Sequence, residues 1–210
     1  MNILSFETSS SICGIAFHKN EKLIDEIYLN QPRVHSEKLV ELTEELIKRN
    51  NLEIKKIDLF TISNGPGSFT GLRIGMSFAV GLAFPYKIPI APMNTMLAYM
   101  ENEIKDVANN KSPVFVIKSH SNFIFTAIPN DTNIQFIQTN ELQEKYPNCD
   151  LIITNEKDLI IDNIETIYKP ILPSIIGEYY LNQTKKYSTI EYGKIKLNYG
   201  QEYKPKKWRQ

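Results

Sequence analysis

Side chains able to do chemistry at neutral pH are few in this chain, and their spacing decides what they can do. His18, His35 and His120 are its three histidines. A helical metal site needs two imidazoles at i, i+4, and His35 is followed at i+4 by Leu39. His35 therefore reads as a residue at a helix start rather than a ligand. Cys13 and Cys149 lie far apart and give neither a zinc spacing nor a disulfide framework. Serines gather at Ser9, Ser10, Ser11 and Ser68, yet no Gly-x-Ser-x-Gly elbow presents any of them as a nucleophile. Ser68, in Gly67-Ser68-Phe69, has Gly65 and Gly71 out of register for such an elbow, and helix capping explains it.

The dense motif is Asn64–Phe84, with five of the nine glycines between Gly65 and Gly81. Three readings compete for it. A phosphate cradle would use bare amides at a helix start. However, no lysine occurs between Ile57 and Phe84, and Gly65, Gly67 and Gly71 have one residue too many in the second gap of the dinucleotide fingerprint. The second reading is an interface. Gly71, Gly75, Ala79 and Ala83 recur every fourth residue and leave one helix flank flush with the backbone. Two mid-helix glycines cost about 0.8–1 kcal/mol each against alanine, a loss that close approach of a partner would recover. The third reading is a core helix packed on its own sheet. Leu72, Ile74, Met76, Phe78, Val80 and Leu82 make the helix apolar nearly all round, which suits a core or an interface alike. Arg73, its single charge, is expected to reach solvent or a carboxylate.

The elements that must hold these residues follow from periodicity. Ile3–Thr8, Ile12–His18 and Leu23–Leu29 read as strands joined by tight turns, an antiparallel meander. Ser36 reads as the cap of a helix to about Asn50, with Leu39, Leu42, Leu46 and Ile47 inward and Glu41, Glu44, Glu45 and Lys48 outward. Ile57–Ser63 is a strand feeding the glycine turn, Ser68 caps the glycine helix, and Asn94 caps another. Residues 1–100 thus form a β-β-β-α-β-α lobe. From Pro113 the pattern restarts more weakly, with strands at Val114–Lys118, Phe123–Ile128, Ile134–Gln138 and Leu151–Thr154 and a helix at Ser174–Gln183, giving a smaller, divergent lobe over 101–210.

Lysine and arginine total 24 against 24 acidic residues, without the basic excess of a free-standing nucleic-acid binder. No signal peptide opens the chain and no apolar run approaches a membrane span, so a cytoplasmic protein is expected, with no membrane partner. Tyr203-Lys204-Pro205-Lys206-Lys207-Trp208-Arg209 sets positive charges beside aromatics. It could touch RNA, and a solvated terminus is the expected reading.

Gly-Pro-Gly-Ser-Phe-Thr-Gly-Leu-Arg-Ile-Gly at Gly65–Gly75, together with Ile3–Ser9, Arg33–Leu39 and Ile88–Met96, resembles the TsaB (YeaZ-type) subunit. That subunit belongs to the bacterial complex making N6-threonylcarbamoyladenosine (t6A) in tRNA. The resemblance covers about the first half of the chain. It implies an α/β fold of the actin/Hsp70-like ATPase (ribonuclease H-like) type, in two lobes, each a mixed sheet flanked by helices. It further implies a non-catalytic scaffold pairing with the catalytic TsaD-type subunit, alongside a TsaE-type ATPase, or with itself when the partner is missing. tRNA is then met through the complex, and ATP and metal belong to partner subunits, with no cofactor on this chain. The contact is expected from Leu39, Leu42 and Leu46 on one helix and Gly71, Arg73, Ile74, Gly75, Phe78 and Ala79 on the other.

Relatives usually carry Asp-Thr at the end of the first strand, where actin-like ATPases handle magnesium and phosphate. Here Glu7-Thr8 stands instead. The extra methylene would displace a metal-bound water by about an ångström, so Glu7 and Thr8 read as a degenerate nucleotide site. Lys118-Ser119-His120-Ser121 also departs from the family's Asp-Ala-Arg, so residue roles carry over in the first lobe only. The alternative is an ATP-dependent phosphotransferase or ATPase acting alone through Glu7, Thr8 and the glycine turn. A peptidase, a third reading, lacks any nucleophile, base or metal set.

Overall fold

A computed structural model describes residues 1–200; the basic stretch Tyr203–Arg209 lies outside the described residues. Two five-stranded sheets carry the chain. In the first, β1 (Asn2–Glu7), β2 (Ile12–Lys19) and β3 (Lys22–Asn30) form the antiparallel meander, turned between β2 and β3 by Asn20 and Glu21, both at positive φ. That is the pair of left-handed residues a two-residue hairpin needs. β4 (Leu59–Ser63) and β5 (Ile90–Met93) add in parallel, giving the order β3-β2-β1-β4-β5.

The second sheet repeats the plan. β6 (Pro113–Lys118), β7 (Phe123–Ala127) and β8 (Gln135–Gln138) form a meander, and β9 (Leu151–Thr154) and β10 (Glu165–Tyr168) add in parallel in the order β10-β9-β6-β7-β8. Counted within each sheet, both orders are third-second-first-fourth-fifth. The crossover from β4 to β5 is a full helix, α2 (Phe69–Ala83), whereas 155–164 cross from β9 to β10 without one. Two strands have no counterpart in the sequence reading: β5, a four-residue strand holding Pro92 that extends the expected β-β-β-α-β-α order, and β10, whose four residues alternate between exposed and half-buried at the sheet edge.

Five layers result. α1 (His35–Arg49) and α2 cover one face of the first sheet, burying Leu39, Leu42, Leu46, Met76 and Ala79 against Leu4, Phe6, Ile15 and Phe60. α3 (Thr95–Glu103) and α5 (Pro173–Asn182) fill the space between the sheets, joining Ile3 and Leu59 of the first to Phe115, Phe125 and Ile153 of the second. The outer face of the second sheet buries Val114, Val116 and Ile124 under Leu142 of the short helix α4 (Leu142–Lys145). After α5 the chain returns to the first sheet. Thr189 bridges Ile90, the Tyr192 hydroxyl donates to Ile88 O at 2.8 Å, and Asn198 N donates to Asn64 O at 2.7 Å.

Capping follows the sequence at two helices and departs at one. Ser68 Oγ accepts from Gly71 N at 3.2 Å, and Asn94 Oδ1 accepts from Leu97 N at 3.0 Å. The helix read from Ser36 begins instead at His35, with Val34 at the N-cap and no side-chain cap. Tertiary contact replaces the missing cap there: the buried His35 ring is tied by Nε2–H to Ile12 O at 3.0 Å, and Ser36 is exposed.

Candidate functional site

Glu7 closes β1 with its side chain fully buried. Its carboxyl group accepts from Ser9 N at 2.6 Å, from Ser9 Oγ at 2.5 Å, and from Ser63 Oγ at the end of β4. Burial pushes its pKa up to about 7, and the hydrogen bonds from Ser63 and Ser9 only partly oppose that. The oxygens that would reach a metal-bound water are thus occupied by the chain's own hydroxyls and amide.

Thr8 follows, buried, with its Oγ1 unpartnered among the described residues. It lies beneath the glycine helix. A Cβ on Gly71 would run into Thr8 O, and one on Gly75 into Thr8 Oγ1. The flush flank at Gly71 and Gly75 is therefore covered by Thr8, just past the end of β1, and the expectation that it lies open to a partner is corrected there. Gly71, Gly75 and Ala79 are buried, as are Leu39, Leu42 and Leu46 on α1. The dispersion contacts that repay the two glycines come from within. Before the helix, Gly65 sits at φ 111° with Asn198 O lying where its Cβ would be, so the loop needs glycine on both counts.

What remains open on α2 is its opposite side. Arg73 and Ser77 are exposed, Ile74 and Phe78 half-buried, and a Cβ on Gly81 would meet nothing within 4 Å. With Val40 of α1, several of these line a groove of about 360 Å³ between the two helices. Among the described residues Arg73 reaches no carboxylate. Its guanidinium lies 3.8 Å from the centroid of the Phe69 ring and its Nε donates to the Tyr199 hydroxyl at 3.0 Å. Sequence reasoning missed this cluster because Tyr199 lies 126 positions away in the chain.

The N-terminus of α2 opens onto a cleft of about 730 Å³ between the lobes. The first lobe supplies Ser9–Ser11, Arg33, Gly67 and Phe69, and the second Lys118, His120 and Glu156. Lys118 Nζ stands 3.5 Å from the Glu156 carboxylate. His35 also lines the cleft, but burial holds its ring below the usual imidazole range and its Nε2–H is committed to Ile12 O. His18 lies elsewhere, fully buried beneath Gly177 of α5, with neither ring nitrogen partnered among the described residues and its pKa lowered by burial to about 4. Among the described residues no group of three or more His, Cys, Asp or Glu side chains is placed to hold a metal ion. None of their helices is long and apolar enough to cross a membrane.

Two sheets of one strand order facing each other across helices and a cleft define an actin/Hsp70-like, ribonuclease H-like protein. Residues 22–144 match the family described as TsaD: tRNA N6-adenosine threonylcarbamoyltransferase, and the chain belongs to that family, within which it is of the TsaB/YeaZ type. It is 31% identical over 101 residues to the tRNA threonylcarbamoyladenosine biosynthesis protein TsaB of Haemophilus influenzae, covering 47% of this chain and 41% of the relative. To the protein of the same name from Buchnera aphidicola subsp. Baizongia pistaciae it is 30% identical over 132 residues, covering 58% and 59%. The chain thus spans roughly half the length of the curated relatives it matches. A crystal structure from Pseudomonas aeruginosa, described as an uncharacterized protein with similarity to peptidase YEAZ, shares the fold with a TM-score of 0.69 at 14% identity, covering 93% of this chain and 97% of that one.

Proposed function

We propose that this chain is a non-catalytic partner subunit in the making of t6A in tRNA, supporting a TsaD-type catalytic subunit. The relatives' names support the pathway. The observation that carries the non-catalytic half is Glu7. A carboxylate able to serve magnesium and phosphate must face the cleft with free lone pairs, whereas this one is sealed and satisfied by Ser9 and Ser63. ATP and metal then belong to the other subunits, including a TsaE-type ATPase.

The docking face on this reading is the open side of α1 and α2: Val40, Arg73, Ile74, Ser77, Phe78 and Gly81. Such a half-apolar groove suits a partner's helix or, without a partner, a second copy. Leu39, Leu42, Leu46, Gly71, Gly75 and Ala79 act behind it by holding the two helices in place. The test is co-expression with a TsaD-type subunit, followed by sizing and a tRNA-modification assay. Co-elution and restored modification are expected, and both should fail for Val40→Glu combined with Ser77→Glu while the lone chain keeps its melting temperature. Nucleotide turnover by the lone chain, lost in Glu7→Ala, would overturn the reading in favour of an ATPase.

A further inference from the structure

The two walls of the inter-lobe cleft each carry an aromatic cluster beside positive charge, and the scaffold role proposed above uses none of its rings, only Arg73. On the first lobe Phe69, 45% exposed, packs on Tyr199 with ring centroids 4.7 Å apart, and Arg73 lies over Phe69. On the second lobe the exposed His120 ring stacks on Phe123 at 5.5 Å, and Phe123 stacks on Phe136 at 5.0 Å with only 13° between planes. Phe69, Tyr199 and His120 all line the cleft, as do Arg33 and Lys118, and Glu156 is the one carboxylate among the described residues that line it. Between the walls the floor is hydroxyls and backbone at Ser9–Ser11, Gly67 and Ser68.

Flat, partly exposed rings on opposite walls, with cations at the rim, are the chemistry that holds unpaired bases and their phosphates. A duplex, whose bases are stacked within it, could not use the rings. A folded protein partner would want the apolar groove between α1 and α2 instead. The overall charge balance of the chain does not oppose this, because the cations needed are local.

We propose that the mouth of this cleft binds a short unpaired stretch of RNA, bases stacking on the His120 and Phe69–Tyr199 platforms and phosphates meeting Arg33 and Lys118. The choice of RNA over other single strands rests on the function proposed above. The stacking chemistry does not.

The experiment measures fluorescence anisotropy of a labelled single-stranded RNA of about 12 nucleotides titrated with the full chain, at salt between about 50 and 200 mM. Saturable binding is expected. It should weaken about five-fold or more in His120→Ala, recover in His120→Tyr, and lose roughly one unit of salt slope in Arg33→Ala and again in Lys118→Ala. No binding at the lowest salt, equal binding by His120→Ala, equal affinity for a duplex of the same length, or equal affinity for a single nucleotide would each overturn the proposal. Co-elution with the TsaD-type subunit is read separately. A chain that co-elutes but binds no RNA sinks only this inference, whereas one that binds RNA but neither co-elutes nor restores modification sinks only the scaffold reading.

Discussion

The hydroxyl of Thr8 sits against the backbone of Gly75, so close that any Cβ at that position would overlap it. β1 and α2 are locked together at this point, and the same helix has another glycine, Gly81, whose Cβ position is open space. One helix therefore carries two glycines with opposite expectations.

Gly75→Ala should destabilise the chain by up to about 2 kcal/mol, since overpacking costs about 1–3 kcal/mol and the gain in helix propensity returns about 0.8–1 kcal/mol of it. Gly75→Leu should prevent folding. Gly81→Ala should stabilise by about 0.8–1 kcal/mol. Urea denaturation of the three variants checks the contrast, and a stable Gly75→Leu chain would refute the packing described for Thr8.

Thr8→Val keeps the shape of the side chain and removes a buried hydroxyl that has no partner among the described residues. Stability should hold or rise, by up to about 1 kcal/mol, because an unsatisfied buried hydroxyl is itself a cost. A loss of more than that would mean the hydroxyl is bonded after all.

Glu7 keeps its proton in the folded chain up to about pH 7, whereas its ordinary pKa is 4.5. The folded state holds the extra proton between those values. This contribution to stability is complete below pH 4.5 and lost as pH rises through 7, on the order of 3 kcal/mol in all. Glu7→Gln, whose amide can pair with Ser9 and Ser63, should abolish that dependence and make the chain more stable than the parent above pH 7. Unfolding curves taken from pH 4.5 to 8 read this directly.

His18 works in the opposite direction. Its pKa falls from 6.5 to about 4 on burial, so the unfolded chain takes up a proton that the folded one refuses. Stability is complete above pH 6.5 and is lost as pH falls towards 4, again on the order of 3 kcal/mol. Between about pH 6.5 and 4.5 the Glu7 and His18 slopes oppose each other, and the parent chain should look nearly flat there. His18→Leu should expose the rise towards acid from Glu7, and Glu7→Gln the fall from His18. Two variants with slopes of the same sign would contradict the burial of one of these groups.

Most of the fold was legible in the residues because each element carried a local signal. The meander showed as alternating strand formers with tight turns, α2 and α3 as Ser68 and Asn94 at their caps, and the family as an uninterrupted run from Gly65 to Gly75. Hydrophobic period and capping act over a few residues and can be read without neighbours. Which side of a glycine helix meets which surface is not of that kind. Gly71 and Gly75 look identical in sequence whether Thr8 or a foreign helix covers them, and only the parallel pairing of β1 with β4 brings Thr8 there. The sealing of Glu7 by Ser63 and the hydrogen bond of Arg73 to Tyr199 likewise join residues distant in the chain. Contacts of that reach are settled by how the sheets and helices pack, a property of the whole molecule that no local stretch encodes.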